Sequence, residues 1–197
     1  YDGVFKGGPK PVHRTIQYTD MALRKFFANA RTMPWFNNTI FVLSADHASA
    51  EIQFQQYNSP SGYFAIPIVI YEPGSVAKPM RNEIVQQTDI LPSVLGIMHY
   101  DQPYVAFGRD VFSADEPFAF NYLNNTYQAF MGDYLLQFDG VRSIGLYNFK
   151  KDPSITQNLM ATESGMTEKM ERKLKAFIQQ YNNRMVDDNL TVAGKQR

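Results

Sequence analysis

Cysteine is absent from the 197-residue sequence, which excludes disulfide bonds, thiolate metal sites and cysteine nucleophiles. A surplus of one charge is missing too, because 19 basic residues balance 19 acidic ones. The charge balance therefore gives no support for a nucleic-acid partner or for a polybasic membrane anchor. No apolar run has the length of a membrane span, and no signal peptide is recognisable.

Aromatic residues are abundant by contrast, with 15 Phe and 12 Tyr, and they favour a well-packed domain over a disordered chain. The length suits one domain, or one domain with a small appendage. The character of the sequence changes in its second half, and we predict an α/β core fragment at 1–115 followed by a C-terminal hairpin and helical extension at 116–197. Because the chain begins at Tyr1 without an initiator Met, we interpret it as a piece of a longer protein.

Two segments of the first half have helical patterns. Apolar residues at helical spacing predict a helix over 19–30, and Thr19 or Asp20 is its expected cap. A second helix is predicted over 88–98, with Thr88 or Asp89 as its expected cap. Pro92 then falls in the first turn, where its missing N–H group is harmless.

Two apolar runs between these helices predict strands. The run 39–43 is too apolar for a half-exposed strand, so we expect it to be central and covered on both faces. The run 66–71 predicts a second buried strand, and 104–120 is loop-like. The order helix, strand, strand, helix is typical of α/β layers.

The second half of the chain has a different pattern. Two weakly alternating runs, 127–138 and 141–149, flank Asp139-Gly140, which is a strong short-range indication of a hairpin. Residues 166–185 then predict an amphipathic helix. The sequence therefore predicts a C-terminal hairpin followed by a terminal helix.

Asp46 and His47 are the main candidates for chemistry, because they follow the apolar run where a strand leaves its sheet. A carboxylate oxygen with an imidazole nitrogen suits Zn²⁺ or Mn²⁺ better than Ca²⁺, which prefers oxygen ligands. The ordinary alternative is that Asp46 caps a loop and His47 bonds locally. Two ligands do not complete a metal site. The pair is therefore structural, or its partner ligands lie on other sequence.

The other polar candidates have ordinary explanations. His13 lies in a basic loop, and His99 follows a helix whose C-terminus it can satisfy. Glu51 could approach a metal at Asp46, although a solvated loop carboxylate is the default. Ser44 lacks the glycine elbow of a hydrolase nucleophile, and Arg109 could bind an anion or pair with a nearby aspartate.

Several short motifs are shared with a known family. They are Tyr18-Thr19-Asp20, Phe26-Phe27, Pro34-Trp35-Phe36, Phe41-Val42, Ala45-Asp46-His47, Gly62-Tyr63-Phe64, Ile66-Pro67-Ile68, Gln87-Thr88-Asp89-Ile90-Leu91-Pro92-Ser93 and Ala106-Phe107-Gly108-Arg109-Asp110. With them the chain resembles the C-terminal part of sulfatases, and more closely the lipoteichoic-acid-synthase-like branch of the alkaline phosphatase superfamily. Three later motifs are similar to a tail of Bacteroides-type members, namely Phe138-Asp139-Gly140, Leu146-Tyr147-Asn148 and Lys151-Asp152-Pro153.

The resemblance implies an α/β fold, the C-terminal portion of an alkaline-phosphatase-like α/β/α sandwich. It also implies that Asp46 and His47 bind a catalytic divalent metal, which is Mn, Zn, Mg or Ca. In the family, the other metal carboxylates, the Thr, Ser or formylglycine nucleophile and a substrate histidine lie upstream. They would precede Tyr1, so we expect no catalytic nucleophile within this chain.

The function implied by the resemblance is that of a metal-dependent extracytoplasmic sulfatase or phosphoglycerol/phosphoethanolamine transferase. The parent protein would be the enzyme, anchored to the membrane by N-terminal segments, and this part alone would be inactive. Its substrates would be sulfated or phosphorylated glycans or lipids. The alternative is a non-catalytic module, or degenerate member, that binds glycans or lipid head groups. Exposed apolar surface on the isolated chain would favour self-association.

Overall fold

Two antiparallel sheets and three α-helices form the part of the chain that the computed structural model describes, which comprises residues 3–48, 54, 57–76, 81–113 and 115–192. The elements in chain order are α1 Val12–Ala30, β1 Phe41–Ser44, β2 Ile68–Tyr71, α2 Ile90–Ile97, β3 Ala119–Leu123, β4 Thr126–Met131, β5 Tyr134–Phe138, β6 Ser143–Asn148 and α3 Ser164–Val186. The predicted mixed α/β class is therefore confirmed. Across the described ranges, no helix combines the length and the apolar character needed to cross a membrane.

Helix α1 begins at Val12, seven residues before the predicted start. Pro11 precedes it with helical backbone angles, φ −53° and ψ −38°, since the proline ring fixes φ near the helical value. The expected cap at Thr19 or Asp20 is wrong. The hydroxyl of Thr19 donates instead to the carbonyl of Thr15 one turn earlier, a bond made inside a helix.

Strands β1 and β2 form a two-stranded antiparallel sheet, in which Phe41 pairs with Tyr71. One face of this sheet packs against α1 through aromatic side chains. The ring of Phe41 lies 5.1 Å from that of Phe27 on α1 and 5.9 Å from that of Tyr71, measured between centroids. The other face is open, because Val42 and Val69 are 36% and 50% exposed. Within the described structure, the expectation that β1 is covered on both faces is wrong.

The second sheet is a meander in the order β3-β4-β5-β6. The hairpin predicted at Asp139-Gly140 is confirmed, and the Asp139 carboxylate accepts two backbone N–H bonds within it, from Val141 and Arg142, each at 2.8 Å. The segment predicted as one run over 127–138 is divided into β4 and β5, because the chain turns at Gly132, where φ is +58°. Glycine adopts this left-handed conformation without steric cost.

Helix α3 packs across this second sheet, as the amphipathic pattern at 166–185 predicted. Met170 and Leu174 are fully buried on its inner face, against Leu136 and Leu146 of the sheet. Glu171, on the same helix, accepts hydrogen bonds from Lys175 and from the backbone and hydroxyl of Ser143 on β6. The bond from Lys175, followed by that from the Ser143 hydroxyl, lowers the pKa of Glu171 from its ordinary value of about 4.5.

Glu171→Gln is expected to make stability less dependent on acid pH. A lowered folded-state pKa stabilises the protein above the unfolded pKa of about 4.5, and this stabilisation is lost as the pH falls through the lower folded value. We expect the free energy of unfolding at pH 7 to fall by about 1 kcal/mol in the variant, and the difference from wild type to shrink below about pH 4.5. Urea denaturation between pH 3 and pH 7 measures the difference in the free energy of unfolding between the variant and the wild type. Glu168→Gln, at an exposed position of α3, is the matched control, and an equal effect there would contradict the assignment.

Candidate metal-binding site

Asp46 and His47 lie in the turn that follows β1, and their side chains are 87% and 75% exposed. The backbone N–H of His47 donates to Asp46 Oδ1 at 2.9 Å. The imidazole Nδ1 lies 2.8 Å from the carbonyl of Ala48, and because a carbonyl can only accept, Nδ1 carries the proton. The local bonds expected from the ordinary interpretation of the pair therefore do form.

In the described structure, no hydrogen bond to another residue occupies Asp46 Oδ2 or His47 Nε2. In the neutral imidazole, His47 Nε2 keeps its lone pair when Nδ1 is the donor. It faces Asp46 Oδ2 at 3.5 Å. Two ligand atoms that are each about 2.1 Å from one ion lie roughly 3.0–3.5 Å apart, so this arrangement suits a shared divalent cation.

The described residues do not supply a complete coordination sphere. Within those ranges, no group of three or more His, Cys, Asp and Glu side chains could hold a metal ion. Catalytic zinc sites use about three protein ligands and structural ones about four. Glu51, the further carboxylate considered from the sequence, lies outside the described residues. Among the described residues, the pair alone therefore offers two potential ligand atoms, fewer than a complete metal site needs.

The remaining sequence candidates are engaged elsewhere. His13 accepts a bond from the backbone N–H of Lys10 at the start of α1, and His99 follows α2 with a left-handed φ of +52°. Ser44 donates to the carbonyl of Ala45. Arg109 is largely buried, donates to the carbonyls of Ile84 and Asp110, and pairs with the carboxylate of Glu83 at 3.7 Å. The structure therefore does not bring these residues to the Asp46–His47 pair.

A residue that the sequence analysis did not single out contacts this turn. The side-chain Nε2 of Gln87 donates to the carbonyl of Ala45 at 2.8 Å and to the carbonyl of Asp46 at 3.2 Å. Gln87 begins a 3-10 helix, Gln87–Asp89, which leads directly into α2. Its partners are more than forty residues away, so no local pattern could have indicated the contact. The only hint was that Gln87 lies within one of the shared motifs.

The 3-10 helix is itself held by the buried carboxylate of Asp89, which is 2% exposed. Asp89 Oδ2 accepts from the N–H of Gln86 at 3.0 Å, and Oδ1 accepts from the N–H of Arg109 at 2.8 Å. Asp89 occupies the predicted N-cap position of α2 but makes no cap bond to that helix. Its carboxylate instead completes a capping box at the 3-10 helix, whose N-cap is Gln86.

Gly108 permits the close approach that these bonds require. A Cβ atom at this position would overlap the backbone of Thr88 and Asp89. Ser93 adds a second link, since its hydroxyl donates to the carbonyl of Asp89 at 2.6 Å and accepts from the N–H of Val111 at 3.0 Å. The loop after α2 is thus fixed against the start of that helix.

Part of the chain is similar in sequence to a known protein family. Residues 12–100 match the sulfatase family model. This sulfatase-matched segment covers less than half of the chain and contains α1, β1, β2, α2 and the Asp46–His47 pair. No curated protein matches the sequence.

Solved structures share the fold at low sequence identity. A protein of the alkaline phosphatase superfamily from Vibrio parahaemolyticus aligns over 90% of this chain and 45% of its own, with a TM-score of 0.67 and 20% identity. A protein from a study of glycosaminoglycan metabolism by Bacteroides thetaiotaomicron aligns over 83% and 44%, with a TM-score of 0.65 and 15% identity. A third, solved in complex with its substrate D-glucosamine-2-N,6-O-disulfate, aligns over 86% and 40%, with a TM-score of 0.56 and 14% identity. The chain spans less than half the length of each, and the predicted alkaline-phosphatase-like fold is confirmed for that portion.

Asp89→Asn is expected to lower the free energy of unfolding by about 2–3 kcal/mol, because an amide NH₂ group would replace one acceptor oxygen and face a buried N–H. Chemical denaturation measures the change. Asp101→Asn is the control, since Asp101 is exposed and accepts only from the neighbouring Gln102 in the described structure. Equal effects of the two substitutions would contradict the role given to the buried carboxylate.

Gly108→Ala is expected to cost about 3 kcal/mol, because the added methyl group would meet backbone atoms that cannot move without breaking the bonds of Asp89. Gly165→Ala is the matched control. Position 165 lies in the first turn of α3 with no heavy atom within 4 Å of an added Cβ, so that variant should be neutral or slightly more stable. Thermal unfolding of both variants measures the two changes in stability. An unchanged melting temperature in Gly108→Ala would contradict the close packing at this position.

Proposed function

We propose that this chain is the C-terminal portion of a metal-dependent sulfatase, in which Asp46 and His47 hold a catalytic divalent cation. The observation that carries the proposal is the approach of Asp46 Oδ2 and His47 Nε2 to 3.5 Å at the end of β1. This pair lies inside the sulfatase-matched segment. Members of the alkaline phosphatase superfamily are generally metal-dependent, which favours the same assignment.

Under this proposal the active site is divided along the parent sequence. The chain spans 40–45% of the length of the solved structures that share its fold. The nucleophile and the remaining metal ligands would belong to the other part of the parent protein. The 197-residue chain would then be inactive alone and would bind a metal weakly, with two ligands from its described residues.

Each member of the pair has a defined part in the proposed site. A bound divalent cation would supply electrostatic stabilisation of charge developing on the transferred group. Asp46 would contribute an anionic oxygen, and His47 a neutral nitrogen whose tautomer is set by the bond from Nδ1 to the Ala48 carbonyl. The high exposure of both side chains leaves this face of the turn open to a substrate and to the rest of the parent.

The proposed substrates are sulfated glycans. The family model is that of sulfatases, and one protein of the same fold was solved with a disulfated glucosamine as its substrate. Phosphoryl transfer of the lipoteichoic-acid-synthase type is the alternative within the same superfamily.

We further propose that the parent protein is extracytoplasmic and anchored to the membrane. We also propose that this chain is divided into a core fragment at 1–115 and a C-terminal extension at 116–197, which contains β3 to β6 and α3.

The decisive experiment uses the full-length parent protein with Asp46→Ala and His47→Ala. We expect each substitution to reduce turnover of p-nitrophenyl sulfate by at least about 100-fold and to lower the bound metal measured by elemental analysis. Asp101→Ala, which removes an exposed carboxylate away from the pair, should leave both unchanged. Folding of all variants is checked by circular dichroism.

The other outcomes are informative in different ways. Faster turnover of bis-p-nitrophenyl phosphate than of the sulfate ester would replace sulfuryl by phosphoryl transfer. Robust turnover by the isolated 197-residue chain would contradict the divided site. Unchanged activity in both Asp46→Ala and His47→Ala would overturn the proposal and favour the non-catalytic glycan-binding alternative.

A further inference from the structure

Gln87 is the long-range tether of the turn that carries the Asp46–His47 pair. We infer that Gln87 is a positioning residue, which sets the direction of the two metal-ligating side chains through the backbone of residues 45–46. The inference rests on the proposed function, because it assigns Gln87 a role toward the cation that Asp46 and His47 would hold. Gln87 itself would not touch the cation.

The geometry of the tether explains how it acts. A primary amide has two N–H donors, and those of Gln87 lie within bonding distance of the carbonyls of Ala45 and Asp46, at 2.8 and 3.2 Å. These two carbonyls belong to the peptide planes on either side of the Asp46 Cα atom. Fixing both planes restricts φ and ψ of Asp46, and thereby the direction of its carboxylate and the starting point of His47.

The turn has little other support in the described structure. The remaining side-chain hydrogen bonds of the described turn join sequence neighbours, from Ser44 to Ala45, from His47 to Asp46 and from His47 to Ala48. Such local bonds can form in many orientations of the turn as a whole. The bonds from Gln87 are the ones that tie this orientation to a distant part of the fold.

Gln87 is a suitable anchor because its own backbone is firmly held. It lies between the two capping residues Gln86 and Asp89, and the Asp89 carboxylate is buried. The side-chain Oε1 of Gln86 also accepts from the N–H of Phe120 on β3 at 3.2 Å. The 3-10 helix therefore connects the Asp46–His47 pair to the second sheet.

The test replaces Gln87 by methionine, which keeps the length of the side chain and removes both donors. In the 197-residue chain, the carbonyl ¹³C resonances of Ala45 and Asp46 should shift, whereas those of Phe41, Val42 and Leu43 should stay in place. In the full-length parent, the Kd for Mn²⁺ should rise about 10- to 100-fold, the range found when groups that orient metal ligands are removed. The melting temperature should stay unchanged, because Gln87 is exposed and its carbonyl partners can bond to water.

Gln102→Met is the matched control, since Gln102 is an exposed glutamine that bonds only to its neighbour Asp101 in the described residues. It should alter neither the carbonyl shifts nor the Mn²⁺ affinity. A lower melting temperature of Gln87→Met with unchanged Mn²⁺ affinity would show a merely structural role and overturn the inference. Unchanged carbonyl shifts would overturn it as well.

Asp46→Ala, measured beside Gln87→Met, distinguishes a failure of the positioning role from a failure of the proposed function. Loss of Mn²⁺ binding in Asp46→Ala, with full binding in Gln87→Met, would refute the positioning role and leave the proposed function intact. Retained binding in Asp46→Ala would refute the proposed function, and the role of Gln87 toward the cation with it.

Discussion

The buried carboxylate of Asp89 is the contact on which the arrangement of the candidate site depends. A carboxylate that is 2% exposed is stable in the interior only where hydrogen bonds replace its hydration. Asp89 obtains them from the N–H groups of Gln86 and Arg109, which lie on two separate segments of the chain. The bonds can form only because Gly108 lets the second segment approach the backbone at Thr88. One buried group thus fixes the start of α2 and the loop that follows this helix.

The side chains of Gln86 and Gln87 connect this buried contact to both sheets by hydrogen bonds. Gln86 accepts from Phe120 at the start of the second sheet, while Gln87 donates to the carbonyls of Ala45 and Asp46 after β1. The exposed Asp46–His47 pair therefore takes its orientation from a polar network some forty residues further along the chain. Metal ligands commonly depend on such supporting bonds, because a free side chain would have to be ordered at the moment of binding.

Elements with a local cause could be predicted from the sequence, and those with a distant cause could not. The amphipathic pattern of α3 and the Asp139-Gly140 hairpin were both predicted, because spacing and turn chemistry act within a few residues. The start of α1 was misplaced because Thr19 and Asp20 have the chemistry of caps, whereas the helix begins directly after Pro11. Strand β3 and its turn at Asn124 and Asn125 were missed, although Asn tolerates the positive φ of 50° and 58° found there. For the candidate site, Asp46 and His47 remain predictions from the sequence, whereas the tether from Gln87 has no local sequence signal.

The open face of the first sheet gives the divided-site proposal a physical basis. The run at 39–43 has the apolar character of a strand covered on both sides, yet Val42 and Val69 are exposed here and β1 pairs with β2 alone among the described strands. A two-stranded ribbon has marginal stability by itself, and apolar strand edges are sites for further pairing. The solved proteins of this fold are more than twice as long as the portion this chain covers. Under the divided-site proposal, the other part of the parent protein would cover this face and would also bring the remaining ligands to Asp46 and His47. Completion of the sheet and completion of the metal site would then occur together.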